Sequence, residues 1–413
     1  MFWLRSLALL MLAGAPAAAA DWPQWLGPHR DNSSPETVAV WKAAPKVLWR
    51  QPVGEGNGSP AVAGGRVFVH SKIAGQNKEE VVAYDAGSGR ELWRTAYERA
   101  KFSSFYGNGP RATPAVADGR VYTFGITGVL TCLEAATGKQ LWQVDTLKEF
   151  GAQNLFFGMS CSPLVEGDSV LVNVGAKGAS VAAFDRAKGT VAWKALDDKA
   201  SYSSPIAFGK GKERQVVFLT GEGVVSLNPA DGSLYWRFPL KDTLLESSTT
   251  PVRAGDTLVA SSITYGSAGL KLRTNDGKPA YKQEWKDKAL TCYFSTPVAV
   301  GTDHLYMVTG SNPLSFTAKP MATLHCVEAA TGKSLWKKQK IGKYHAALLR
   351  TGDGKLLLLD DGGEMALLMP DPKGYRELVR SKVCGPTWAH PALSDGRLFV
   401  RDEKELLCLK LAQ

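Results

Sequence analysis

Cysteine is scarce in this 413-residue sequence: there are six, with no CxxC pair and no adjacent pair. One repeated segment carries Cys132, Cys326 and Cys408 at the same position, and another is preceded by Cys161, Cys292 and Cys384. Other copies of the first segment have alanine or serine at that position. We therefore expect small buried side chains rather than a disulfide framework.

Sequence signatures of common enzymes are also absent. There is no GxSxG, no HExxH and no evident pair of catalytic carboxylates. The segment 329–334 (AATGKS) ends like a phosphate-binding loop, but it lacks the first glycine and falls on a hairpin turn. Nothing in these motifs points to a hydrolase or a nucleotide-binding enzyme.

Charge of one sign does not dominate any stretch. The chain has 49 Lys and Arg residues and 39 Asp and Glu residues, which gives a formal net charge of +10, and the basic residues are scattered singly. The densest cluster lies at 337–343 and is interpreted as a solvated loop face, with an acidic partner as the alternative. We expect no nucleic-acid partner. With 44% hydrophobic and 21% charged residues, the composition excludes a disordered chain.

Long apolar runs are confined to the N-terminus. Arg5 precedes an apolar stretch from Leu7 to Ala20 that ends in three alanines. This pattern predicts a signal peptide over 1–20 with cleavage before Asp21, and an uncleaved membrane anchor is the alternative. No cysteine follows to accept a lipid, and no later segment is apolar enough to span a bilayer. We expect a periplasmic or secreted protein.

A hairpin segment recurs along the rest of the chain. Copies lie at 81–93, 130–142, 181–193, 224–236 and 324–336, each with an apolar run, an acidic residue or Asn, a turn ending in Gly, and a strand closing on Trp. The predicted docking tryptophans are Trp49, Trp93, Trp142, Trp193, Trp236 and Trp336. In two diverged copies of this segment, Tyr281 and Leu378 are expected to take the Trp position. Only a small residue opposite the indole would leave it room.

A second hairpin segment precedes each of these and occurs eight times. It opens with a small residue and Pro, turns at Gly or Asp-Gly, and continues as a strand. Two hairpins per period of about 49 residues give a four-stranded antiparallel blade. The last unit lacks a strand, and residues 45–53 supply it. We predict an all-β, monomeric, eight-bladed propeller over 45–413, closed by its N-terminal strand after a lead-in over 21–44.

The hairpin pattern, cleanest at Cys132–Trp142 and Cys326–Trp336, resembles the repeat of pyrroloquinoline-quinone (PQQ) type propellers. The segment DWPQWLGPHRDNSSPET is similar to the lead-in of secreted members. The family includes quinoprotein dehydrogenases and BamB-like outer-membrane assembly lipoproteins. The sequence has neither the neighbouring cysteines of the dehydrogenases nor the lipid-accepting cysteine of the assembly factors.

The mouth of the central channel is the predicted binding site. Three places before each blade's Pro, or its equivalent, stand Asn57, Arg111, Ser160, Tyr202, Ser248, Phe294, His345 and Trp388. One place before it stand Ser59, Thr113, Ser162, Ser204, Thr250, Thr296, Ala347 and His390, on the same side of the strand. We predict ligand or partner contacts at Asn57, Arg111, Tyr202, Phe294, His345, Trp388 and His390. In the alternative, the aromatics plug the mouth and Arg111 binds nearby carbonyls.

Two functions follow from these observations. The first is a non-catalytic exported scaffold that binds an envelope protein or small ligand through its funnel face. The second is a PQQ- and Ca²⁺-dependent alcohol or sugar dehydrogenase, with the cofactor near Arg111 and Trp388. The first ring contains no carboxylate, Glu55 and Glu246 being the nearest in sequence, so the first function is favoured. His345 and His390 lack a third ligand, and no metal is expected.

Overall fold

The computed structural model describes residues 20–310 and 319–411. In this part of the chain, 32 strands form eight four-stranded antiparallel sheets. The prediction of an all-β, eight-bladed propeller is thereby confirmed. The predicted signal peptide lies outside the described residues except for Ala20. The single α-helix among the described residues, Thr146–Phe150, has five residues, and none of the described helices is long and apolar enough to cross a membrane.

The first four blades follow the chain without interruption. Blade 1 contains β2–β5, at Ala61–Ala63, Arg66–Lys72, Lys78–Asp85 and Glu91–Glu98. Blade 2 contains β6–β9, at Ala115–Ala117, Arg120–Phe124, Val129–Glu134 and Gln140–Asp145. Blade 3 contains β10–β13, at Leu164–Glu166, Ser169–Ala176, Ala179–Asp185 and Val191–Ala195. Blade 4 contains β14–β17, at Ile206–Phe208, Gln215–Leu219, Gly223–Leu227 and Leu234–Pro239, with a short 3₁₀ turn at Gly211–Glu213.

The last four blades complete the ring. Blade 5 contains β18–β21, at Val252–Ala254, Thr257–Ser262, Gly266–Asn275 and Lys278–Asp287. Blade 6 contains β22–β25, at Val298–Val300, His304–Thr309, Ala322–Glu328 and Ser334–Gly342. Blade 7 contains β26–β29, at Ala346–Arg350, Leu356–Asp360, Glu364–Leu368 and Glu377–Lys382. Blade 8 contains β30–β32, at Ala392–Ser394, Arg397–Arg401 and Glu405–Lys410, and β1, at Lys46–Pro52.

The N-terminal strand closes the ring, as predicted. β1 pairs antiparallel with β32, and Trp49 lies opposite Cys408. Arg401 of blade 8 is buried and links the closing blade to blade 1, because its guanidinium donates to His70 O at 2.7 Å and Gly54 O at 2.8 Å. The closure removes an unpaired sheet edge, which is the usual point of unwanted association in β proteins.

Tryptophans on the outermost strands join each blade to the next. Six indoles donate from Nε1 to a backbone oxygen of the following blade at 2.8–3.1 Å: Trp49 to Ala86, Trp93 to Ala135, Trp142 to Arg186, Trp193 to Pro229, Trp285 to Ala329 and Trp336 to Asp371. At five of these six junctions the turn glycine of the next blade lies against the ring, and Gly374, at the turn after Trp336, is the exception. A Cβ on Gly89 would meet the Trp49 ring at 2.6 Å, and its φ of +76° also disfavours other residues.

The two diverged copies of the hairpin segment, in blades 5 and 7, differ from expectation. In blade 5 the tryptophan is Trp285, not Tyr281, because β20 and β21 are ten residues each and the longer hairpin moves the docking position four residues past Tyr281. Tyr281 instead packs on Trp236, and its hydroxyl donates to Arg237 O at 2.8 Å. In blade 7 the strand register places Val379, not Leu378, at that position.

The lead-in enters the channel rather than lying on the surface. The backbones of Trp22 and Val62 exchange two hydrogen bonds of 2.8 Å, and Val116 N donates to Pro23 O at 2.8 Å. Val62 and Val116 belong to the innermost strands of blades 1 and 2. The Trp22 side chain is buried. The segment therefore fills the channel beside these two blades.

The lead-in then crosses to the far blades. Arg30 is buried and donates to Ser162 O at 3.0 Å and Pro163 O at 2.8 Å, next to blade 3. Ser34 N donates to Arg350 O in blade 7 at 2.9 Å, and both Glu36 carboxylate oxygens accept from the backbone of the blade 8 turn at 395–396. The segment thus ties together blades that are distant in sequence before the chain reaches β1.

Candidate functional site

A cavity of about 640 Å³ lies at the end of the channel where the innermost strands begin. Trp25 of the lead-in forms its channel side, and its indole donates to Thr250 Oγ1 at 2.8 Å. The opposite side opens between the loops that lead into the blades. A pocket of this volume suits a small molecule or one or two side chains of a partner.

The structure brings together most of the first predicted ring. The cavity is lined by Asn57, Arg111, Ser160, Tyr202, Ser248, Phe294 and Trp388. His345 is the exception: it is buried behind Trp388, with the two rings stacked at 4.8 Å. His390 is also buried, and its ring meets Trp25 edge-on at 4.6 Å. The two histidines support the aromatic wall from behind rather than facing the cavity.

The second predicted ring is a set of contacts between blades. Thr113 N donates to Ser162 Oγ at 2.9 Å, Ser162 N to Ser204 Oγ at 2.9 Å, and His390 N to Ser59 Oγ at 2.9 Å. These hydroxyls satisfy backbone groups next to the channel, where the first strands are too far apart to pair. This role explains the small polar residue that precedes Pro in most of the blades.

Arg111 is held by carbonyl oxygens. Nε donates to Phe157 O at 2.9 Å, and Nη2 donates to Tyr106 O at 3.0 Å and Gly107 O at 3.2 Å. Nη1 lies 3.0 Å from the Asn57 side-chain oxygen once that amide is oriented to satisfy both of its groups. Burial lowers the pKa of Arg111. The guanidinium therefore fixes two rim loops.

Carboxylates line the cavity, although the predicted ring had none. They are Glu55, Glu246 and Glu403. Glu55 pairs with Lys72 at 3.2 Å and accepts from Asn108 N. Glu246 accepts from the Tyr293 hydroxyl, and burial raises its pKa. Among the ion pairs of residues 20–310 and 319–411, none involves Glu246 or Glu403.

Two aromatic walls face this space. On one side Tyr293 stacks on Phe294 at 3.8 Å, and Phe294 meets Trp388 edge-on at 5.0 Å. On the other side Phe157 contacts Tyr202, with ring centres 5.7 Å apart. These contacts hold the rings in place without a ligand, so the walls are preformed.

The rim of the cavity carries exposed aromatic side chains. Phe105 is 97% exposed and Phe156 is 70% exposed, on the loops that lead into blades 2 and 3. Tyr106 lies between the rim and the wall and contacts Phe157 edge-on at 5.6 Å. Large apolar side chains with this much exposure beside a preformed pocket are typical of an interaction surface.

The buried His390 side chain makes the stability of the fold depend on pH. Burial, and next the charge of nearby His345, lowers its pKa from 6.5 to about 3. The unfolded chain therefore binds a proton below pH 6.5 that the folded chain binds only near pH 3, so stability is lost as the pH falls through this window. Because of His390, we expect the free energy of unfolding to be about 2 kcal/mol lower at pH 5 than at pH 7.5.

Urea unfolding at pH 7.5 and 5.0 measures this cost. In His390→Gln the loss between the two pH values is expected to shrink by about 2 kcal/mol. His29→Gln, at an exposed position of the lead-in, is the matched control and should leave the difference unchanged. An equal pH dependence in wild type and His390→Gln would contradict the assignment.

Several site residues escaped prediction from sequence. Trp25 sits in the lead-in, outside the repeat frame, and Glu403 follows the second strand of blade 8. Glu246 lies two residues before the ring position of Ser248. The segments GEGNG and ESST each contain a glutamate two residues before the ring position, where small residues are otherwise usual. This glutamate was the available signal in the sequence. For Trp25 the signal was the Trp-Pro-x-Trp segment of the lead-in.

Possible metal ligands do not cluster. In the described ranges 20–310 and 319–411, no group of three or more His, Cys, Asp or Glu side chains could hold a metal ion. The six cysteines are all buried and unbridged. Three of them, Cys132, Cys326 and Cys408, lie opposite a docking tryptophan in the strand register.

Comparison with solved structures places this architecture among known propellers. The quinohemoprotein alcohol dehydrogenase from Comamonas testosteroni has a TM-score of 0.65 at 13% identity, over 95% of this chain and 81% of that one. BamB from Moraxella catarrhalis has a TM-score of 0.60 at 16% identity, over 89% of this chain and 98% of that one. At these identities the likeness shows the fold alone.

Comparison of sequences is more specific. The outer membrane protein assembly factor BamB of Moranella endobia (strain PCIT) is 22% identical over 308 residues, which cover 72% of this chain and 73% of that protein. The factor of the same name from Burkholderia pseudomallei (strain K96243) is 24% identical over 308 residues, covering 71% and 69%. The profile of the family described as outer membrane protein assembly factor BamB matches residues 77–338, more than half of the chain. The chain therefore belongs to this family of PQQ-like propellers.

Proposed function

We propose that the protein is a non-catalytic, exported scaffold that binds a partner protein through its funnel face during assembly of the cell envelope. The observation that carries this proposal is the exposed aromatic rim, Phe105 and Phe156, around a preformed cavity. Aromatic residues with full exposure cost solubility and are retained where they are covered by a partner.

Family membership supports the envelope setting. The relatives are named as outer membrane protein assembly factors, and the N-terminal sequence has the features of an export signal. A protein that acts in assembly at the envelope needs a rigid platform with one binding face. The propeller supplies that platform, because its blades and lead-in fix the loops of the funnel.

A bound quinone is the alternative, and the cavity residues fit it poorly. PQQ carries three carboxylates, whereas the cavity presents three glutamates and one arginine. The Arg111 nitrogens already bind backbone and side-chain oxygens. The glutamates would be left to repel the cofactor, since no cluster of three metal ligands occurs in the described ranges. The aromatic wall of Phe294 and Trp388 is the one feature in its favour.

Site-specific photocrosslinking tests the proposed function. With a benzophenone amino acid at position 156, in cells that export the protein, we expect a covalent adduct with an envelope protein. The same group at Lys139 is the control, because that exposed turn lies at the opposite end of the blade. The captured protein, once purified, should bind wild type and lose at least about tenfold affinity for the double variant Phe105→Ser, Phe156→Ser.

Two results would contradict the proposal. The first is equal affinity of the captured protein for wild type and the double variant. The second is saturable, Ca²⁺-dependent binding of PQQ in a calorimetric titration of the purified protein, which would favour the dehydrogenase function instead.

A further inference from the structure

We infer that the funnel cavity receives a lysine or arginine side chain from an exposed segment of the partner protein, flanked there by apolar residues that cover the rim. This inference rests on the proposed function and specifies the chemistry of the partner.

The cavity has the opposite sign to the rest of the molecule. The chain carries a formal charge of +10, yet the charged residues that line the cavity are three glutamates and one arginine. Lys72 balances Glu55 at 3.2 Å, and Arg111 is engaged by carbonyls. Glu246 and Glu403 form no ion pair in the described ranges, so they give this concave surface a negative potential that attracts a cation.

The Glu246 carboxylate is held in a fixed orientation, which suits it to bind a cation. Its carboxylate is half-buried and accepts from the Tyr293 hydroxyl, which orients it. Burial disfavours its charged form and raises its pKa. A cation arriving beside it would restore the balance, so binding gains free energy that an exposed carboxylate would not provide.

The walls suit the stem and the head of such a side chain. Phe294 and Trp388 form one face and Tyr202 stands on the other. Aromatic faces attract ammonium and guanidinium groups and also pack against the aliphatic stem of lysine or arginine. An anionic side chain would meet both the carboxylates and the negative faces of these rings.

The rim selects a peptide segment over a free small cation. Phe105 and Phe156 project from loops on the blade 2 and blade 3 side of the opening, where Phe105 lines the outer edge of the cavity and Phe156 lies outside its lining residues. A small ammonium ion would occupy the cavity and leave these rings in water. A segment with apolar residues beside its basic one covers them as well, which fits the exposed area better.

Calorimetric titration with matched pentapeptides tests the inference on the full exported chain. The probes are acetylated, amidated Gly-Phe-X-Phe-Gly peptides with X as lysine, norleucine or glutamate. We expect the lysine peptide to bind at least tenfold tighter than the norleucine peptide, whose stem is the same length without the charge. The difference should shrink between 50 and 500 mM salt, because part of the attraction is screened.

Variants locate the binding. Glu246→Gln and Glu403→Gln should each weaken the lysine peptide threefold to tenfold and leave the norleucine peptide unchanged. Glu91→Gln, on the outermost strand of blade 1, is the matched control and should change neither. Thermal unfolding of each variant distinguishes a loss of affinity from a loss of folding.

Three outcomes would overturn the inference. Equal binding of the lysine and norleucine peptides would leave an apolar docking face, and the photocrosslinking result would still stand. Binding of tetramethylammonium as tightly as the lysine peptide would replace the partner segment with a free small cation. Absence of binding by every probe would remove the cation site, whereas failure of the proposed function is detected separately by unchanged affinity in the rim variants.

Discussion

Trp285→Ala is expected to lower the free energy of unfolding by about 3–5 kcal/mol. The indole is buried between blades 5 and 6, donates to Ala329 O at 2.9 Å, and is covered by Gly332 of the next turn. Truncation leaves a cavity at this junction and an unpaired carbonyl. Chemical denaturation followed by circular dichroism measures the loss.

Tyr281→Phe is the matched control for this prediction. It removes only the hydroxyl that donates to Arg237 O and keeps the ring on Trp236. We expect a loss of about 1 kcal/mol, the ordinary contribution of one hydrogen bond. If Trp285→Ala were as mild as Tyr281→Phe, the longer hairpin of blade 5 would not carry its docking residue at position 285.

Arg30→Met is expected to cost about 2–5 kcal/mol. The side chain is buried, and burial lowers its pKa to about 10. Its donors satisfy Ser162 O and Pro163 O, which the methionine would leave unpaired. The change also loosens the lead-in that carries Trp25, so peptide binding in the cavity should weaken together with stability.

Arg50→Met separates this effect from a general loss of charge. Arg50 is an exposed arginine of β1 whose ion pair with Glu405 at 3.3 Å lies on the surface. Such pairs contribute at most about 1 kcal/mol. Urea midpoints for both variants at one pH give the comparison, and equal losses would mean that the lead-in is not anchored through Arg30.

The fold could be predicted because one physical pattern recurs in the sequence. A small residue opposite Trp and a turn glycine recur because most neighbouring sheets dock through them, so each copy marks a blade. The prediction failed where the spacing changed. In blade 5, extra residues in both strands moved the docking position from Tyr281 to Trp285.

The site was predicted only in part, because its residues come from two sources. Ring positions such as Arg111 and Trp388 follow the repeat and could be placed by counting from Pro. Glu246 and Glu403 lie on loops whose path depends on tertiary contacts, and Trp25 enters from a segment with no counterpart in the repeat. Periodicity carries no information about either.

Closure by β1 imposes an order of events on the making of the molecule. Residues 46–52 leave the ribosome before every other described strand, whereas their partner strand, Glu405–Lys410, leaves it after all the others. β1 must therefore remain without its partner strand while β2–β31 are made. Blades can form one after another, yet the ring closes only once β32 has been made, and a chain that ends before β32 would carry two open edges that the closed ring lacks.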